Sequence, residues 1–243
     1  MRWQLIIREL DSADRKLQTV VSTDNCTKST RNMANKATAV FDPSVSYSPL
    51  SVPASQTAVL LLDYQNFIVD LIPDEGKRGH VLGAAASVRD WANSKGIQVY
   101  HCLVDLNNEP IPSAKLNAQW PMLNETLKNK PVAGEIATLL KPSESQTEKV
   151  TRRRLGLLSA LSSPELADDL RANNIKSLIC CGIATSIVVT STARVANELG
   201  YHVTVVHDAC FDRTLELHQT VTNNVLPTSA HVASLEEIVQ AWK

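Results

Sequence analysis

Asp63 closes the apolar run AVLLLD, which begins at Ala58. A carboxylate at the end of a buried run is partly desolvated, so its pKa can move toward that of a useful acid or base. The bland alternative is a turn aspartate, which strand ends commonly carry. The segment CCGIATSIVVTSTARVANELGY, from Cys180 to Tyr201, is more informative: a strand, a tight GIAT turn, then a helix opening on small and hydroxyl residues. Backbone N–H groups at such a helix start form an anion or oxyanion pocket. Thr185 or Ser186 could instead simply cap the helix and satisfy the same donors. Further along, DRTLELHQ starts with Asp212 as a helix N-cap and puts Glu216 and His218 on a helix whose bland reading is a solvated face.

These residues need a scaffold. AVLLLD, IQVYHCLV (Ile97 to Val104), KSLICCG (Lys176 to Gly182) and HVTVVHDA (His202 to Ala209) are short apolar runs that read as buried parallel strands. They alternate with helical stretches at His80 to Ser94, Pro164 to Asn173 and Thr185 to Leu199, which stop at Lys95-Gly96, Asn173-Asn174 and Gly200. This βαβ alternation predicts an α/β fold of three layers, a mainly parallel sheet with helices on both faces, binding ligands at the C-terminal strand ends. Between Asp105 and Lys149 the Pro-punctuated stretch LNNEPIPSAKLNAQWPMLN is a candidate lid or pocket wall, with Trp120 as its anchor or as a pocket residue. Residues 1–57 are Ser-, Thr- and Asn-rich without a sustained apolar period and read as a poorly structured extension, in which Met33 is an alternative start; residues 58–243 form the domain.

Composition narrows the partners. With 24 Lys and Arg against 25 Asp and Glu the net charge is -1, which gives no field favouring nucleic acid or anionic membranes. No apolar run approaches the roughly 20 residues that cross a bilayer, and the N-terminus has no secretory cleavage pattern, so a cytoplasmic protein is expected and any export would be unconventional. The five cysteines lack paired spacing and read as reduced, buried thiols. A small-molecule substrate is the expected partner.

DYQN (Asp63 to Asn66), TRRRLGLLSA (Thr151 to Ala160), GIATSIVVTSTA (Gly182 to Ala193) and GYHVTVVHDAC (Gly200 to Cys210) follow one another in an order that resembles the isochorismatase-like hydrolases, over roughly residues 58–243. The resemblance implies a catalytic Asp, Lys and Cys. Asp63 matches the Asp; Arg152 stands at the Lys position, with Lys149 available in a shifted register; Val188 stands six residues after Gly182, where the Cys is usual. It further implies substrate contacts from Gln65, Ala184, Thr185 and Val188, a cis peptide joining Ile183 to Ala184, N–H groups of Ala184 and Val188 facing the pocket, and a homo-oligomer. Cys180 and Cys181 precede the turn on alternating faces and do not replace the absent thiol. Asp105, Asn107 and Asn108 follow the second strand, where nicotinamidase relatives hold a metal, but no Asp-x-His spacing occurs, so neither metal nor cofactor is expected.

Three activities remain open. Isochorismatases cleave a vinyl ether and need a proton donor, not a thiol, so Asp63 as acid with Arg152 binding carboxylates is one. A catalytically silent binding or assembly protein is the second, marked by a closed ion pair with no room for substrate. A Cys-dependent amidohydrolase using a displaced thiol is the third.

Overall fold

The apolar runs pair as expected because residues buried on both faces belong at the centre of a parallel sheet. The computed structural model describes residues 39–142 and 148–242. Its strands are β1 (Thr57–Leu62), β2 (Gln98–Asp105), β3 (Lys149–Arg154), β4 (Ser177–Gly182), β5 (His202–Val206) and β6 (His231–Ala233). They form one six-stranded sheet in the order β3-β2-β1-β4-β5-β6, and every pairing is parallel. β1 and β4 are wholly buried and lie side by side. Gly182 is required at their junction: a Cβ there would sit 2.4 Å from the Leu62 carbonyl oxygen.

Besides a single α-helical turn at Asn66–Val69, the helices are α1 (Glu75–Ser94), α2 (Trp120–Asn129), α3 (Pro164–Ala172), α4 (Thr190–Glu198), α5 (Leu215–Thr220) and α6 (Leu235–Ala241). Asp74 caps α1 by accepting from the Lys77 N–H, Ser163 caps α3 ahead of Pro164, and Ser234 with Glu237 forms a capping box on α6. α1 and α6 cover one face of the sheet, where Trp91 meets Trp242 edge to face at 5.8 Å. α3 and α4 cover the other: Lys149 and Tyr100 reach Asp169 of α3, and Thr192 of α4 accepts from the Ala160 N–H just before α3.

Two features depart from the pattern-based expectation. β3 and β6 are edge strands, too polar or too short to announce themselves; β3 buries alternate residues only. Residues 39–56, whose composition predicts a loose extension, are laid on the domain: the Val40 N–H donates to His231 Nδ1, Phe41 packs edge-on against Trp242, and Ser48 is fully buried. Their apolar residues are isolated in sequence and find partners only across the fold. Residues 1–38, with Cys26 and Met33, lie outside the described residues.

Under α1, His101 Nε2 meets Glu148 Oε2 at 2.5 Å with both side chains buried, Asn93 donates to the same carboxylate, and Arg89 lies 3.9 Å from it. Burial holds His101 below its ordinary value although Glu148 pulls it up, and burial shifts His218 and His231 the same way. The unfolded chain therefore takes protons at about pH 6.5 that the folded chain resists, so stability is intact above that pH and falls as pH drops below it. The melting temperature should be level above pH 7 and decline below about 6.5, with His101→Gln flattening part of that slope. An unchanged slope in the variant would remove His101 from the account.

Candidate active site

The chain runs outward from β1 through β2 to β3, returns to β4, and runs the other way through β5 to β6. The strand order reverses between β1 and β4, and a crevice opens beyond their C-terminal ends. Asp63 stands there in the left-handed region, φ 61°, with its N–H bonded to the Cys102 carbonyl at 2.9 Å. Aspartate tolerates this conformation better than most residues. It turns the side chain out of the strand alternation and into the crevice.

The basic partner is Arg153, not Arg152. Register pairs Val104 with Arg153, and residues paired across a parallel ladder project to the same face. Arg153 is buried at 5% exposure and reaches Asp63 (4%) through two bonds, Nη1 to Oδ1 at 2.6 Å and Nη2 to Oδ2 at 2.7 Å. Its Nε donates to the Leu157 carbonyl at 2.8 Å, so the guanidinium is held at both ends. Arg152 alternates to the opposite face and is exposed. There it faces Asp105, whose carboxylate is raised by burial but held below its ordinary value by Asn108, Asn107 and, more weakly, Arg152. Asp105 to Asn108 is thus a self-contained turn. Lys149 lies four residues before Arg153, about 13 Å away along the strand, and is paired with Asp169 at 2.7 Å.

Burial raises the Asp63 carboxyl above its ordinary value, against the opposing pull of Arg153. Burial also works against charge on Arg153, but its bonds to Asp63 outweigh this and keep it cationic. Both Asp63 oxygens accept N–H bonds from Arg153, which gives the pair the bidentate geometry of a charge-assisted contact.

Asp63 and Arg153 open into a cavity of about 540 Å³. Its walls are mostly apolar, including Ile68, Ile72, Val104, Leu155, Ile183, Ala184 and Val188, with Asp212, Arg213, Ser113 and Lys115 as polar members. Gly156, at φ 97°, lets the 111–114 segment close against the wall; a Cβ there would lie 2.9 Å from the Ala114 Cβ. Trp120 does not reach the cavity. It packs with Val104 and Leu155 in a small core behind the wall, which makes it the loop's anchor.

The turn after β4 joins Ile183 to Ala184 by a cis peptide bond. Ala184 and Val188 line the cavity, and among the described residues no acceptor takes the Ala184 N–H. Gln65 and Thr185 do not line it. The Gln65 amide is fully engaged, donating to the carbonyls of Val104 and Gly134 and accepting from the Val104 N–H, so it braces the loop after β1. Thr185 is fully buried; its N–H donates to the Phe211 carbonyl and its hydroxyl meets His218 Nδ1 at 2.9 Å.

His218 is therefore a buried support of the turn and not part of a solvated face. Its spacing with Val221 and Thr222, three and four residues on, marks the buried side of that helical segment. Asp212 likewise does not cap α5, a role taken by Thr214; it accepts from the Ser186 N–H at 2.6 Å and fastens the β4 turn. Thr185→Val should lower stability by about 1–2 kcal/mol by leaving His218 unbonded, and chemical denaturation would reject this role if the midpoint did not move.

Cys102, Cys180, Cys181 and Cys210 are buried and free, and none lines the cavity. Burial pushes Cys102 and Cys181 up to about 12, and Cys180 and Cys210 well above their ordinary value. Among the described residues no three His, Cys, Asp or Glu gather as a metal ion would require, and no helix is long and apolar enough to cross a membrane.

Residues 57–237 match the isochorismatase domain model. The chain is 29% identical to the isochorismatase family protein YecD of Escherichia coli O157:H7 over 196 residues, covering 79% of this chain and 99% of that protein. It is 26% identical to the phenazine biosynthesis protein PhzD of Pseudomonas fluorescens, covering 76% of this chain and 86% of that one. Among solved structures, an isochorismatase family protein from Burkholderia thailandensis superposes with a TM-score of 0.62 at 22% identity, covering 77% of this chain and 95% of that one.

Proposed function

From the premise that the chain belongs to the isochorismatase family, we propose that it hydrolyses the vinyl ether of isochorismate to pyruvate and 2,3-dihydroxy-2,3-dihydrobenzoate. The observation that carries this reading is a buried carboxyl, Asp63, with a raised pKa, facing an apolar cavity that no described cysteine lines. Such a group is suited to deliver a proton and is not arranged for covalent catalysis. Val188 occupies the position where the family's thiol is usual.

In the proposed reaction Asp63, once protonated, gives its proton to the enolpyruvyl methylene carbon. Water adds to the oxocarbenium carbon and returns a proton to Asp63. Collapse of the hemiketal breaks the bond between its carbon and the ring-borne oxygen, the hydroxyl proton passes to that oxygen, and pyruvate and the dihydroxy-dihydrobenzoate are released. The Ala184 N–H is available to a developing oxyanion. Approach of an anionic substrate adds like charge beside Asp63 and favours its protonated form. A further relative, 24% identical over 198 residues, bears the name probable isochorismatase in Pseudomonas chlororaphis.

The closed Asp63–Arg153 pair favours a second reading, a catalytically silent family member. The cavity beside the pair weighs against it. Incubation with isochorismate, following pyruvate through lactate dehydrogenase, separates the two: release that vanishes in Asp63→Asn supports the hydrolase, and release no faster than spontaneous breakdown leaves the silent protein.

A further inference from the structure

The cavity needs a way to recognise charge, and Arg153 is largely occupied. Three of its five N–H groups are committed to Asp63 and Leu157. Two other cations line the same space, Lys115 on the segment after β2 and Arg213 on the segment after β5. Both are exposed, and among the described residues neither side chain has an ion-pair or hydrogen-bond partner. β2 and β5 flank the central β1/β4 pair, so the two segments leave the sheet three strand spacings apart, about 14 Å. The Arg213 backbone is fixed, since its N–H donates at 2.8 Å to Asp212, a carboxylate that also holds the Ser186 N–H. The mostly apolar cavity is thus lined by the buried Asp63–Arg153 pair and by two exposed cations whose chain segments follow strands on either side of β1 and β4.

We infer that Lys115 and Arg213 are specificity residues that select a substrate carrying two carboxylates on either side of an apolar body, one held by each cation. This rests on the proposed hydrolase reading and names its substrate class. Arg153 then serves chiefly to position Asp63, and the carboxylate-binding role passes to residues outside the motif that carries Arg153. Guanidinium and ammonium groups both bind carboxylates through charge-assisted bonds that strengthen where apolar walls exclude water.

The test uses unreactive ligands with the full chain. Isothermal titration would compare 3-(carboxymethoxy)benzoate, which has a ring carboxylate and an ether-linked one, with the monoacids benzoate and phenoxyacetate. Wild-type protein should prefer the diacid at least about tenfold over either monoacid, and Lys115→Gln and Arg213→Gln should each weaken the diacid about tenfold. Each variant should leave one of the two monoacids unaffected, and the double variant should lose the preference. Equal binding of diacid and monoacids by wild type, or unaltered diacid binding in both variants, overturns the inference. Diacid selectivity that depends on both cations, together with no turnover of isochorismate, would sink the vinyl-ether reading while sustaining this one. Turnover with diacid binding unchanged in both variants would do the reverse.

Discussion

Asp63→Asn should lower pyruvate release from isochorismate about a thousandfold, within the range that removal of a positioned general acid produces. The substitution preserves shape and leaves one oxygen to accept from Arg153, so the cavity keeps its walls. What it removes is the proton. Because that proton moves only in the transition state, kcat and kcat/KM should fall together with KM nearly unchanged. The pH profile supplies an independent check. Burial raises the Asp63 carboxyl, and an acid must be protonated to act, so kcat/KM should be highest on the acidic side. It should fall as pH rises through a value above the ordinary carboxylate range. A rate that is flat from pH 5 to 8, or that rises with pH, would show that Asp63 is not the donor.

Much of this was legible because the signals are local. The runs at β1, β2, β4 and β5 are continuous and apolar, and Asp63 is where such a run ends. The Gly182 turn carries a motif whose family likeness places the Ile183–Ala184 cis bond. The choice among Arg152, Arg153 and Arg154 is different in kind. Three identical side chains in a row carry no chemical distinction, and which one faces Asp63 depends on register with β2, a long-range fact. Thr151, Arg153 and Leu155 are the buried alternates, but each face of the strand carries one apolar residue, Leu155 on that of Arg153 and Val150 on that of Arg152, so alternation alone does not choose between the arginines. Gln65 and Thr185 look like ligand-binding groups by type, yet both are consumed by backbone and His218 partners that arrive from other parts of the chain. Hydrogen-bonding capacity is visible in a sequence; whether neighbours have already used it is not.

The Asp63–Arg153 pair makes the second large prediction, on stability. Arg153→Met should destabilise the protein by about 3–5 kcal/mol at pH 7, because it leaves a buried carboxylate without its counter-ion. The neighbouring Arg152→Met, exposed on the other face, should change stability by less than about 0.5 kcal/mol. The loss in Arg153→Met should also depend on pH, with a sign fixed by burial. Without the guanidinium, desolvation alone acts on Asp63, so its folded pKa rises further above the unfolded value of about 3.9. A group raised in this way favours folding most below its unfolded pKa, and that contribution is lost as pH rises through the folded one. The variant should therefore lie closest to wild type near pH 4 and fall furthest behind at neutral pH. Adding Asp63→Asn to Arg153→Met should recover stability at pH 7, since a neutral amide replaces the stranded charge. A double variant no more stable than Arg153→Met alone would mean that the cost came from lost packing or from the unbonded Leu157 carbonyl. The pair would then be a brace for the β3 turn, and its charge would be incidental to folding.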